Sequence, residues 1–492
     1  MQADHLQITY ERKEYRMNKG LDYYKKKIGI PLAILVLLGI LAAPLESEML
    51  GVEGHRCLAL FGFAFVLYLT EAIQTPIVSL MIPPMATLMG VASIKESLGG
   101  FSSSSTYLIV GSFILAAAML KSKFANRITY IILLKVGTSA TKVTMGIMIA
   151  NIVLAFLVPS STARTAIMLP ICLSIIQQFK GEKKGRTNLG ANILLTLCFT
   201  NATISGGILT ATVPNPVTVQ FLAESTGKVI SYMQWLKLGF LPALLMTVIT
   251  WVLIQVLMKP EVKELTGGKA FVKHEMDQLG KMSPDEIRCM IIFGVTVILW
   301  VFGEQLHVDS TTACLTGACL LCLPKLGFLN WKDCKEHIGW NVLFIAGGGI
   351  SLGSMMKTSG AADYIANSIF HGLNLGKMGP VAMVLLMLVV VQLMHVFFVG
   401  TTVMANAFIP IVLSIAVAAG INPPLLVVPA GILIGAYPLM LFYCTNPNIL
   451  AYGTEEIGFN DFPKVGIPVC IIACIVYAFC VIFFWPVTGL LQ

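Results

Sequence analysis

Apolar residues gather in long runs along the whole chain, and short polar stretches between the runs carry most of the charge. A helix of about 20 apolar residues crosses a bilayer, so the pattern predicts an all-α polytopic membrane protein. Runs near 28–43, 57–72, 75–92 and 106–120 open the chain. Residues 124–141 place Tyr130, Ile131, Leu133 and Leu134 among polar positions, the pattern of a helix lying along the interface. Two apolar legs, 142–158 and 163–178, then meet at Val158-Pro159-Ser160-Ser161-Thr162-Ala163-Arg164-Thr165. Basic clusters flank both outer ends, which predicts a re-entrant hairpin with its tip at membrane depth. The next run, 190–223, is interrupted by Gly206-Gly207 and by Thr212-Val213-Pro214-Asn215-Pro216, which no continuous helix would carry in its middle. A broken helix is expected there. A helix near 235–258 returns to the longest polar loop, 259–288.

The second half repeats the first. Helices are expected near 289–303, 310–324 and 342–356, then a second hairpin near 380–419, a second broken helix near 424–452 and a last helix near 465–487. Gly111 to Lys121 matches Gly347 to Lys357 at a step of 236, and the tip Ser160-Ser161-Thr162 matches Gly400-Thr401-Thr402 at a step of 240. Thr212-Val213-Pro214-Asn215 matches Thr445-Asn446-Pro447-Asn448 at a step of 233. About 11 transmembrane helices and two re-entrant hairpins result. Because charge places the start of one copy outside and of the other inside, the repeats are expected to be inverted, the plan of a secondary transporter with its site near the midplane. An anion channel on the same fold is the alternative from another class.

Composition agrees with this and removes other classes. The 492 residues are 56% hydrophobic and 12% charged, with mean hydropathy +0.82, against about 25% charged in a soluble domain. The net charge of +8 lies in loops, as an orientation signal and not as a groove for nucleic acid. The basic stretch before Ile28 predicts a cytoplasmic amino terminus; a carboxyl terminus outside and a place in a bacterial plasma membrane, surrounded by membrane lipid, are expected with it. The first apolar run lacks a small-residue cleavage site and reads as a first spanning helix. Twelve cysteines scattered through apolar segments read as small buried thiols.

Chemistry concentrates at the tips and breaks. Ser160 or Ser161 can cap the second leg, whose first amide hydrogens and positive dipole end attract an anion. Arg164 sits just inside that helix start, where an arginine near mid-bilayer costs about 2.5–3.5 kcal/mol, a cost that an anion is expected to offset. An arginine snorkelling to the interface or capping a neighbouring helix is the alternative reading. His395, near the end of the second hairpin's first leg, occupies the corresponding region of the other copy. The proline of each Thr-x-Pro-Asn break removes a donor, and its asparagine can bond freed backbone or a ligand. No carboxylate lies deep in the helices. His274-Glu275 is followed by Gln278 where a zinc protease needs its second histidine, so no enzyme is expected. Gly347-Gly348-Gly349 reads as close helix packing.

The two tips, the two Thr-x-Pro-Asn breaks and the inverted plan resemble the divalent anion/sodium symporter family over roughly 28–490. The resemblance implies a homodimeric elevator-type transporter of dicarboxylates, citrate or sulfate. It implies Ser160, Ser161, Thr162, Gly400, Thr401, Thr402, Asn215 and Asn448 as substrate residues. Thr212, Thr445, Arg164 and His395 complete the candidate set. Family tips read Ser-Asn-Thr, whereas Ser161 and Thr401 replace the asparagines here. With Arg164 and the His395-x-Phe-Phe segment, this resembles the family's exchanger branch, which implies sodium-independent exchange of C4 or C5 dicarboxylates such as succinate, malate or 2-oxoglutarate, with no cofactor. A sodium-coupled symporter is the alternative. The implied division is a cytoplasmic amino terminus (1–27), scaffold (28–135 and 287–374), transport parts (136–258 and 375–492) and a cytoplasmic loop (259–286).

Overall fold

The computed structural model describes residues 21–45, 50–137, 139–180, 185–262, 268–372 and 378–488. Most of the expected cytoplasmic segment 1–27 lies outside the described residues. Among the described residues the fold is helical throughout, with no sheet. Helices α1 (Leu21–Ala42), α2 (Val52–Thr70), α3 (Thr75–Leu88), α4 (Ser104–Ser122) and α5 (Phe124–Val136) open it. Then come α6 (Ala140–Leu157), α7 (Ser161–Lys180), α8 (Asn188–Ser205), α9 (Pro214–Thr226), α10 (Tyr232–Leu257) and α11 (Gly268–Gln278). The second half holds α12 (Pro284–Val301), α13 (Ser310–Cys322), α14 (Trp331–His337), α15 (Trp340–Thr358) and α16 (Ala361–Gly372). Helices α17 (Pro380–Met394), α18 (Thr401–Ala418), α19 (Pro423–Ala436), α20 (Asn446–Tyr452) and α21 (Asp461–Phe479) finish it.

Helix starts are set by loop residues that satisfy the first free amides. Ser103, Ser139 and Thr187 cap α4, α6 and α8, and Ser231 and Ser283 form capping boxes with Gln234 and Glu286. Among the described residues, six helices are long and apolar enough to cross a membrane, or seven if α14 and α15, bent by 64°, count as one. That is fewer than the eleven expected from hydropathy. The difference has a physical source: α3, α13, α17 and α19 run only 13 to 15 residues, because prolines, tips and breaks divide the apolar stretches.

The repeat read in the sequence is present at the level of single bonds. From Ser104 to Trp340 and from Ser122 to Thr358, the two ends of α4 and α15, the step is 236 at both. Asn215 Nδ2 donates to Ser205 O and Ile208 O, both at 2.9 Å. Asn448 Nδ2 donates to Pro438 O at 2.9 Å and Leu441 O at 3.4 Å. Each acceptor of the second pair lies 233 positions after its counterpart, so both breaks are tied by one pattern.

Close packing places the elements around the site. A side chain at Gly347, Gly348 or Gly349 would meet Phe101, Ser79 or Asn406 within 2.6 Å, so the glycine run lets α15 press against α3 and α18. Asn406 Nδ2 bonds Ile345 O at 2.8 Å across that contact. Elsewhere Arg127 of α5 grips Glu286 at the start of α12 with Nε–Oε1 at 2.6 Å and Nη2–Oε2 at 3.1 Å, both side chains buried.

Candidate anion site between the tips and breaks

A cavity of about 730 Å³ opens where the two tips and two breaks meet. Its polar wall comes from residues at four helix starts: Ser160, Ser161 and Thr162 at α7, Thr212 and Val213 at α9, Gly400, Thr401 and Thr402 at α18, and Thr445 and Asn446 at α20. Apolar residues of α4, among them Leu108, Phe113 and Leu120, face it with the 337–345 segment, Glu71 and Thr75. Helix starts carry unpaired amides and positive dipole ends, which favour negative charge. No lysine or arginine lines the cavity among the described residues.

Each tip is shaped by its own residues. At the first, Ser160 Oγ accepts from Ala163 N at 3.3 Å and so caps α7. At the second, Gly400 stands before α18 with φ +100° and no side-chain cap. Nothing lies within 4 Å of a Cβ built there, so the demand for glycine is conformational and not steric.

Four candidate residues are not on the cavity wall. Arg164 is completely buried behind the first tip. Its Nε donates to Asn201 Oδ1 and its Nη1 to Val158 O, both at 2.7 Å, and Nη2 donates to Ser205 Oγ and, at 3.4 Å, to Ala211 O. Asn201 Nδ2 in turn donates to Ser161 O and Thr165 Oγ1 at 2.8 Å. One guanidinium thus ties the end of α6, the start of α7, the end of α8 and the break before α9. His395 Nε2 lies 3.1 Å from Ile434 O, and residue 434 is one repeat step of 233 beyond Asn201. Asn215 and Asn448 spend their amides on the breaks, and their buried Oδ1 atoms have no protein partner among the described residues. The other eight candidates, Ser160, Ser161, Thr162, Thr212, Gly400, Thr401, Thr402 and Thr445, meet at the cavity.

Sequence reasoning missed Asn201 and Ser205, which lie within an unbroken helix that gives no signal. It also passed over several cavity residues, Glu71 and His337 among them. Glu71 closes α2 in a left-handed conformation (φ 49°), which marks it once the backbone is known, and His337 ends α14.

Fold and comparisons together define an integral membrane transporter, not an enzyme. The family model described as the sodium:sulfate symporter transmembrane region matches residues 25–491, and the chain belongs to that family, the divalent anion/sodium symporters. A sodium-dependent dicarboxylate transporter of Staphylococcus aureus is 27% identical over 94% of each chain. A Cupriavidus necator protein named only as a membrane protein is 29% identical over 90% of this chain and 89% of its own length. In fold, the chain is similar to the Alcanivorax borkumensis YdaH transporter, with TM-score 0.53 and 11% identity over 96% of this chain and 99% of that one. Neisseria gonorrhoeae MtrF gives TM-score 0.50 and 11% identity over 94% and 95%.

These findings overturn the expectation that sodium plays no part, since the family model is that of sodium symporters and the Staphylococcus relative is named sodium-dependent. The geometry supplies the reason. The expectation put the Arg164 charge at the ligand, whereas that charge is wrapped in neutral acceptors of the protein. At the second tip the matching position, 240 residues on, holds the buried Met404.

Proposed function

We propose that the chain carries a small dicarboxylate, such as succinate or malate, together with sodium. The observation that carries this reading is a cavity ringed by helix starts with no lysine or arginine on its wall among the described residues. Helix dipoles attract an anion, yet a dipole has no net charge, so a moving site loaded with a dianion would drag negative charge through a low-dielectric layer. Arg164 supplies one positive charge beneath the tip, and one co-bound sodium ion brings the sum to zero. The cavity also has room for a four-carbon diacid.

The same reading assigns residues 136–258 and 375–492, with two re-entrant hairpins, to a body that moves like an elevator against 28–135 and 287–374 in a homodimer of inverted repeats. Tips and breaks share one cavity, which supports their moving together, and α4 with the 337–345 segment forms the opposing wall. Reconstituted liposomes test the assignment. An inward sodium gradient should accumulate labelled succinate in vesicles that hold no diacid, and potassium should not replace sodium. Uptake that requires an internal diacid and ignores sodium would overturn it.

A further inference from the structure

Cys322 ends α13 and is exposed, Cys334 is buried within α14, and their sulfurs stand 3.4 Å apart. The segment between them is folded tightly. Phe328 N and Leu329 N bond Leu321 O at 2.9 and 3.0 Å, and Asn330 starts α14 through a capping box with Asp333. Lys121, at the end of α4, reaches Asp333 Oδ2 at 2.5 Å and Phe328 O at 3.2 Å. Three residues beyond Cys334 the chain enters the cavity wall at His337, Ile338, Gly339 and Trp340.

Two thiols in contact, one open to solvent, make a pair that needs little motion to join. We propose that Cys322 and Cys334 are a reversible redox pair whose disulfide repositions the α14 wall of the cavity. The oxidant is a low-molecular-weight disulfide. The Cys322 thiolate attacks one of its sulfurs, forms a mixed disulfide at Cys322 Sγ and expels one small thiolate. Cys334, deprotonated, then attacks Cys322 Sγ and expels the second. The two protein thiols lose two electrons and two protons, and the small disulfide gains both and becomes two small thiols. The sulfurs must close from 3.4 Å to about 2.05 Å, which draws α14 toward the end of α13. The wall residues follow because they adjoin α14 directly.

The test uses the full chain in liposomes treated with oxidised glutathione. Mass-spectrometric mapping should find a Cys322–Cys334 link. Uptake of the carried anion should fall at least threefold and return with dithiothreitol, and tryptophan emission, blanked with Trp340→Phe, should shift in parallel. Cys319→Ser, which removes the exposed thiol one turn earlier, should behave as the parent. Cys334→Ser should keep its uptake under oxidant, and Cys322→Ser replaces it if that variant does not fold. Absence of the link at saturating oxidant, or a link that leaves both uptake and emission unchanged, overturns the proposal. Mapping and emission read the pair whichever anion is carried, so they separate its failure from that of the succinate assignment.

Discussion

Arg164 shows what a residue-level reading can and cannot reach. Its place one turn inside a helix start at a hydroxyl tip marked it as unusual in the sequence, but its partners lie 37 and 41 residues away inside α8, where nothing breaks the apolar pattern. Removing it strands buried acceptors that each lose a hydrogen bond from a charged donor, a loss of about 1.5–3 kcal/mol apiece. Arg164→Ala should therefore lower the detergent melting temperature sharply, while calorimetry on the protein that still folds finds diacid affinity changed far less. The hydroxyl tips were legible because small polar residues between two apolar legs have few other uses. Ser161→Ala and Thr401→Ala should each weaken succinate binding by about tenfold to a hundredfold, the worth of one hydrogen bond to a charged ligand, without moving the melting temperature. Gly400→Ala forces an ordinary residue to φ +100°, at a cost of about 1–3 kcal/mol. Uptake should drop although no contact is lost, and rates measured beside surface expression would show it.

At the scale of elements, the two copies match in helix bounds and in asparagine bonding, yet their tips are braced by opposite means. The first rests on the Arg164 hub. The second rests on Phe398, whose ring stands 5.7 Å from Phe65 of α2 and 5.6 Å from Phe408 of α18. The repeat could be read from Thr-x-Pro-Asn and the glycines, because backbone breaks demand particular residues at particular steps. The bracing could not, since aromatic contacts between distant helices leave no spacing signal. Phe398→Ala should destabilise the protein by about 3–5 kcal/mol and slow uptake, an effect separable by comparing melting with initial rates. The Arg127–Glu286 pair was equally hidden, its members 159 residues apart. Glu286→Gln leaves a buried guanidinium short of its charge partner, and proteolysis of the 259–286 loop should speed up as α5 loosens from α12.

For the molecule as a whole, apolar runs made the class legible, while the count of spans was not, because a run cut by proline or a tip has the hydropathy of a crossing helix without its length. The glycine face of α15 and the Asn406–Ile345 bond join the proposed moving body to its scaffold in this state. Cysteines placed at 345 and 406 should crosslink and stop uptake, with reduction restoring it, whereas a fixed channel would keep conducting. The Arg164 hub has a further consequence for how such a chain drifts over generations. Losing Arg164 alone leaves Asn201 Oδ1 without its donor, and losing Asn201 alone leaves Arg164 Nε without its acceptor, so each single change costs a buried hydrogen bond. The protein's other half already carries an apolar version of the same pair: the positions matching Arg164 and Asn201 are Met404 and Ile434, both fully buried. A double change, Arg164→Met with Asn201→Ile, should thus melt closer to the parent than either single change, because the second repeat shows that this fold seats two apolar side chains where the first seats a charged one and its amide partner.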